Sequence, residues 1–124
     1  MKKILVIDDE PEIQVIITAR LESLGYKVLI AKDGQEGLAL AREESPDAIL
    51  LDLMLPKLDG YKVCRMLKFD KAYDYIPIII FSARGSEADK KLAEQVGADA
   101  YMIKPFDVNI FTQTLQRLLG PKTP

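Results

Sequence analysis

The apolar run Ala48-Ile49-Leu50-Leu51 ends abruptly in Asp52, and no polar residue alternates within it. A strand with one wet face would alternate, so this run reads as a strand buried on both faces, typical of a parallel sheet. Two runs share its character: Ile4-Leu5-Val6-Ile7, ending in Asp8-Asp9-Glu10, and Ile76-Pro77-Ile78-Ile79-Ile80-Phe81, ending in Ser82. Tyr101-Met102-Ile103, ending in Lys104-Pro105, adds another strand, and Tyr26 to Ala31, charged near its start, reads as an edge strand.

Between these runs the apolar period changes from strand to helix. Pro11 suits a first helical turn, and Ile13, Ile16, Ile17, Leu21 and Leu24 recur at helical spacing until Gly25. Asp33-Gly34-Gln35-Glu36 passes as a capping box into a helix over Gln35 to Glu44, with Leu38 and Ala41 inward and Ser45-Pro46 as its end. Asp59-Gly60 caps a third helix with Val63, Met66 and Leu67 on its inner side, and 69–75 reads as a polar loop. Ser86, with Asp89 three residues on, starts a fourth helix that Gly97 ends, and Asp107 caps a fifth carrying Phe111, Leu115, Leu118 and Leu119. Five strands alternating with five helices imply right-handed βαβ units and a parallel sheet, hence an α/β fold. Residues 1–120 are expected to form one domain, with the breaker-rich 121–124 as a tail or the start of a linker.

Composition narrows the function classes. The 124 residues suffice for one core, and no apolar run approaches the roughly 20 residues of a membrane helix. The apolar stretch before Asp8 is too short for a signal peptide, and the single Cys64 fits a reducing, cytoplasmic setting. A net charge of −2 argues against direct nucleic-acid binding. Histidine is absent, so any chemistry must use carboxylates, lysine or hydroxyls. No glycine-rich phosphate fingerprint follows the first strand.

The strand ends carry the chemistry. If they share one sheet edge, Asp8, Asp9 and Asp52 meet the Ser82 hydroxyl and the Lys104 ammonium. Clustered carboxylates repel, and an oxygen-only ligand set suits Mg²⁺, with Mn²⁺ possible. A carboxylate can also act as nucleophile and form an acyl phosphate, with Mg²⁺ and Lys104 neutralising the transferring group.

Asp8-Asp9, Asp52 followed by Met54-Leu55-Pro56 and Asp59-Gly60, Ser82-Ala83 and Lys104-Pro105-Phe106 together resemble the receiver domain of two-component response regulators. The resemblance runs over essentially the whole chain, in order and in spacing. It implies a doubly wound, flavodoxin-like parallel sheet of strand order 2-1-3-4-5 flanked by five helices. It implies Asp52 as phosphoacceptor, fed by a cognate histidine kinase or phosphotransfer protein. Asp9 is implied as a direct Mg²⁺ ligand, with Asp8 beside it partly through water, and with Asp52 and the Met54 backbone carbonyl completing the set. Lys104 is implied to contact the phosphoryl group, Pro105 to follow a cis peptide bond, and Ser82 and Tyr101 to rearrange on phosphorylation.

An aspartate-nucleophile phosphohydrolase of the haloacid dehalogenase type is the competing reading. Such enzymes usually place a second aspartate two residues after the nucleophile, where this chain has Met54, which cannot move a proton. A receiver-like scaffold that takes no phosphate is disfavoured because every acidic and basic element is present. Met54 and Arg84 stand where faster-hydrolysing relatives carry polar or acidic groups, so slow loss of phosphate is expected. The fourth helix, fifth strand and fifth helix form the expected output face toward an effector protein or attached output domain. Parts of the sequence look most like receivers of winged-helix DNA-binding regulators, whose dimers use ion pairs there. This chain has Ala100, Ile110 and Thr114 at positions where charge is usual, and only Arg117 is charged from Val108 to Leu119.

Overall fold

The computed structural model describes residues 1–83, 85–104 and 107–120. The elements run β1 (Lys3–Ile7), α1 (Pro11–Ser23), β2 (Lys27–Ala31), α2 (Gly34–Glu44), β3 (Ala48–Asp52), α3 (Gly60–Lys68), β4 (Ile78–Ser82), α4 (Glu87–Gln95), β5 (Ala100–Ile103) and α5 (Val108–Leu119). All strand pairs are parallel and the sheet order is β2-β1-β3-β4-β5, with β2 at an edge as its charged start suggested. Strand residues alternate between two apolar layers. Leu5, Ile7, Ile49, Leu51, Ile78 and Ile80 face α2, α3 and α4, whereas Ile4, Val6, Leu50, Ile79 and Phe81 face α1 and α5. Every residue of β3 and β4 is buried, which is why these runs show no polar alternation.

Local chemistry sets the element ends. The side chains of Asp33, Asp59, Ser86 and Asp107 each accept a hydrogen bond from a backbone N–H in the first turn of the helix that follows. Gly25 and Gly97, with φ of 91° and 89°, follow α1 and α4 in a conformation that side chains resist. Strand β4 begins at Ile78 rather than at Ile76. The Ile76 N–H turns back to the Tyr73 carbonyl, and Pro77 has no N–H for the ladder, although its carbonyl accepts from Ile49. Residues 69–75 form successive turns closed on the Asp70 carbonyl.

The inward expectation for Met66 is corrected, and Ile16, at helical spacing with the core residues of α1, also faces outward. Ile16 is 55% exposed and Met66 is 42% exposed. Adjacent helical positions lie about 100° apart, so once Ile17 and Leu21 take the core on α1, Ile16 must turn outward. In α3 the buried positions are Val63, Cys64 and Leu67, which leaves Met66 on the flank. Burial pushes the Cys64 thiol up to about 12, so it behaves as a small core hydrophobe.

The loop between β3 and α3 is clamped from both sides. A Cβ on Gly60 would run into the Asp52 carbonyl oxygen and the Leu53 Cα, and one on Gly34 would run into the Leu58 backbone. The Gly60 N–H also donates to the Leu53 carbonyl at 3.1 Å. These atoms are backbone and cannot step aside. Gly60→Ala is therefore expected to destabilise the protein by about 1–3 kcal/mol, read as a lower urea midpoint with an unchanged slope.

Candidate functional site

The parallel register brings the strand ends into line. Ile7 pairs with Leu51, Asp52 with Phe81 and Ser82 with Ile103, so Asp8, Asp52, Ser82 and Lys104 emerge along one edge. The Lys104 N–H donates to the Ser82 carbonyl at 2.7 Å, which extends the β4–β5 ladder to Lys104.

Asp52 is 3% exposed, and its two carboxylate oxygens have different partners. Oδ1 accepts the Met54 N–H at 3.0 Å, and Oδ2 accepts from Lys104 Nζ at 3.1 Å. Asp8 is fully buried at the end of β1, where its Oδ1 accepts the Glu10 N–H at 2.8 Å. Its Oδ2 has no hydrogen-bond partner and lies 3.6 Å from Lys104 Nζ, beyond hydrogen-bonding distance. Burial pushes the Asp8 carboxyl up to about 6, against the lowering effect of the Glu10 N–H and the Lys104 charge, and Asp52 adds repulsion. Asp9 and Glu10 are exposed, yet one oxygen from each of Asp8, Asp9, Glu10 and Asp52 lies within 4.8 Å of the others. Burial by itself would lower the Lys104 ammonium, but hydrogen bonds to Glu10 and Asp52 and the charges of Asp52 and Asp8 outweigh it and raise it. The same ammonium lies 4.6 Å from the centre of the Phe81 ring, a cation–π contact from below.

All the expected acids and Lys104 therefore meet at one place. Met54 is 57% exposed at the mouth, with its N–H on Asp52. Ser82 is fully buried at the end of β4. Tyr101 is half-buried and packs against the layer under α2, α3 and α4. Arg84 and Pro105, expected to tune phosphate lifetime and to follow a cis bond, lie outside the described residues, as does the 121–124 tail. Sequence reading missed the part played by Glu10, whose Oε1 takes Lys104 Nζ at 2.8 Å, the shortest contact that ammonium makes. The only signal for it was its place in the run Asp8-Asp9-Glu10.

The sequence matches the response regulator receiver domain family over residues 4–116. The chain belongs to this family. The receiver domain is 50% identical over 105 residues to the alkaline phosphatase synthesis transcriptional regulatory protein PhoP of Bacillus subtilis, a match covering 85% of this chain and 43% of that protein. It is 39% identical over 120 residues to protein PilH of Pseudomonas aeruginosa, covering 97% of this chain and 99% of PilH. It thus spans less than half the length of the longer relatives it matches. Among solved structures, the receiver domain of the sensor histidine kinase PA1611 of Pseudomonas aeruginosa, with a magnesium ion coordinated in its active-site cleft, superposes with a TM-score of 0.88 at 36% identity. That likeness covers 97% of this chain and 98% of the other. Among the described residues, no helix is long and apolar enough to cross a membrane.

The donor set fits a hard divalent cation. A fully buried carboxylate oxygen without a hydrogen-bond partner, beside three further carboxylates, is an all-oxygen site with unbalanced charge.

That imbalance makes stability depend on pH. The folded pKa of Asp8, about 6, lies above its unfolded value of 3.8, so the folded state holds the proton more tightly. Its stabilising effect is complete below pH 3.8 and is lost as pH rises through 6, about 3 kcal/mol in all. Chemical denaturation of metal-free protein should show this loss between pH 4 and 7. Asp8→Asn should flatten the slope and raise stability at pH 7 by about 1–3 kcal/mol.

Proposed function

We propose that this receiver domain is a phosphorylation-activated signalling switch that takes a phosphoryl group from a histidine kinase or phosphotransfer protein onto Asp52. The observation that carries the reading is the Asp52 carboxylate, buried at a strand end with one oxygen on the Met54 N–H and the other on Lys104. An Asp52 oxygen attacks phosphorus as the phosphorus–nitrogen bond of a phosphohistidine breaks, and the bonding pair leaves with the imidazole. The product is an acyl phosphate.

Asp8, Asp9 and Asp52, with the Met54 carbonyl, are the residues that would hold Mg²⁺, or Mn²⁺ in its place. The bound ion supplies positive charge to the oxygens of the transferring group. Lys104 meets the same charge from the β5 side, and its ring contact and backbone tie hold it at the pocket. The magnesium ion in the PA1611 receiver supports the metal assignment by similarity. Ser82 and Tyr101 are assigned the switch. Ser82, paired in register with Ile103, moves toward the phosphoryl group, and Tyr101 follows it inward.

Acetyl phosphate with Mg²⁺ should add one phosphate, labile to hydroxylamine. It should be absent in Asp52→Asn and formed at least tenfold more slowly in Lys104→Ala. Intact-mass spectrometry with peptide mapping checks this, and phosphate found at another residue overturns the assignment. Met54→Asn combined with Arg84→Glu should shorten the lifetime of the same product.

The output face of α4, β5 and α5 is assigned to apolar and neutral polar contacts with an effector protein or an attached output domain. Leu92, Ile103 and Ile110 are exposed there. Asp99, just before β5, is engaged within the chain, where its Oδ2 accepts from Lys68 Nζ at 3.0 Å and from the Ile78 N–H at 2.8 Å. With Asp99 engaged, Lys90 and Lys91 of α4 find no acid in β5 or α5 to answer them across a subunit boundary. Sedimentation of the phosphorylated protein at micromolar concentration should show a monomer, or a dimer indifferent to salt. A tight dimer that dissociates steeply with added salt would refute it.

A further inference from the structure

Four of the five helices end at their N-terminus in a side chain that caps them, and α1 does not. Glu10 is its N-cap residue, yet the Glu10 side chain makes no capping bond. It reaches instead to Lys104, 94 positions away in sequence, at 2.8 Å. Glu10 is the most exposed of the three carboxylates around that ammonium, at 55%, but makes the shortest contact. Asp52 and Asp8, fixed at buried strand ends, stand farther off at 3.1 and 3.6 Å. The long side chain of Glu10 thus holds Lys104 across the mouth of the pocket.

We infer that Glu10 is a positioning residue for phosphoryl transfer: in the resting protein it holds Lys104 away from the incoming phosphoryl group and slows phosphorylation of Asp52. The inference rests on the function proposed above. An ammonium has three N–H groups in a compact head. Here two are committed, to Glu10 and to Asp52, and Phe81 bounds the head from below. To meet the equatorial oxygens of a transferring phosphoryl group, Lys104 must give up a bond, and the one to Glu10 does nothing for the reaction. An exposed pair of this kind is weak, so releasing it should change the rate by about two- to fivefold rather than by orders of magnitude.

The test separates reach from charge. Glu10→Asp keeps the charge but is one methylene shorter, while Glu10→Gln keeps the length and removes the charge. Phosphorylation by acetyl phosphate is timed at saturating Mg²⁺, so that altered metal attraction does not enter, and melting temperatures verify that both variants are folded. Both should be phosphorylated about two- to fivefold faster than the unaltered protein. In the unphosphorylated protein, the NMR signal of the Lys104 side-chain ammonium should move in both. Acceleration in Glu10→Gln alone would mean that Glu10 merely repels the donor, and overturns the positioning role, as does no acceleration in either. If the unaltered protein takes no phosphate at Asp52, the function itself fails and this role falls with it. If it is phosphorylated and Glu10→Asp is not faster, only the inference fails.

Discussion

The carboxylates of Asp8 and Asp52, buried side by side where β1 and β3 end, are the constraint that the rest of the molecule accommodates. With carboxylate oxygens less than 5 Å apart, two such charges repel by about 3 kcal/mol at an effective dielectric of about 20. The protein offsets this with backbone donors from Glu10 and Met54 and with one ammonium delivered from β5. The balance is incomplete, as the raised Asp8 pKa and the Asp8 oxygen left without a hydrogen bond show. Such an oxygen-only, charge-unbalanced cluster suits an added divalent cation.

Delivering Lys104 to that place is a property of the doubly wound sheet. In a parallel sheet all strands end at the same edge, and β3 and β4 lie between the strand carrying Asp8 and the one carrying Lys104. The ammonium therefore spans from β5 across the Phe81 ring to carboxylates that follow β1 and end β3. The ladder bond from the Lys104 N–H to the Ser82 carbonyl ties β4 and β5 together at the site. Ser82 is paired with Ile103, which is 41% exposed, so the buried end of β4 lies one strand away from the surface.

The loop that follows Asp52 is held with equal firmness. Gly60 lets the start of α3 lie against the Asp52 and Leu53 backbone, and Gly34 lets α2 lie against Leu58. Both glycines are there for close approach, since a side chain at either would meet backbone atoms. The result is that Met54 is presented at the mouth of the pocket on a loop with little freedom, its N–H already committed to Asp52.

Much of this was legible in the chain itself. The unbroken apolar runs gave away β3 and β4, the capping residues Asp33, Asp59, Ser86 and Asp107 marked helix starts, and the acids, hydroxyl and lysine at strand ends marked the site, because each of these signals is local. Periodicity was less exact about faces: Ile16 and Met66 fit an apolar spacing but lie one helical step off the true core line. The role of Glu10 was out of reach. Sequence places it at the start of a helix, where an acid is unremarkable, and only the tertiary fold brings Lys104 from 94 residues away to meet it. The imbalance at Asp8 was likewise decided by the fold, since a carboxylate has an ordinary pKa until burial removes water from it and leaves one oxygen without a hydrogen bond. The sequence determined which groups stand at the strand ends, because composition and short-range pattern are enough for that. The tertiary structure decided which of them touch and which are left charged and dry, because distance and solvent exclusion exist only once the strands are side by side.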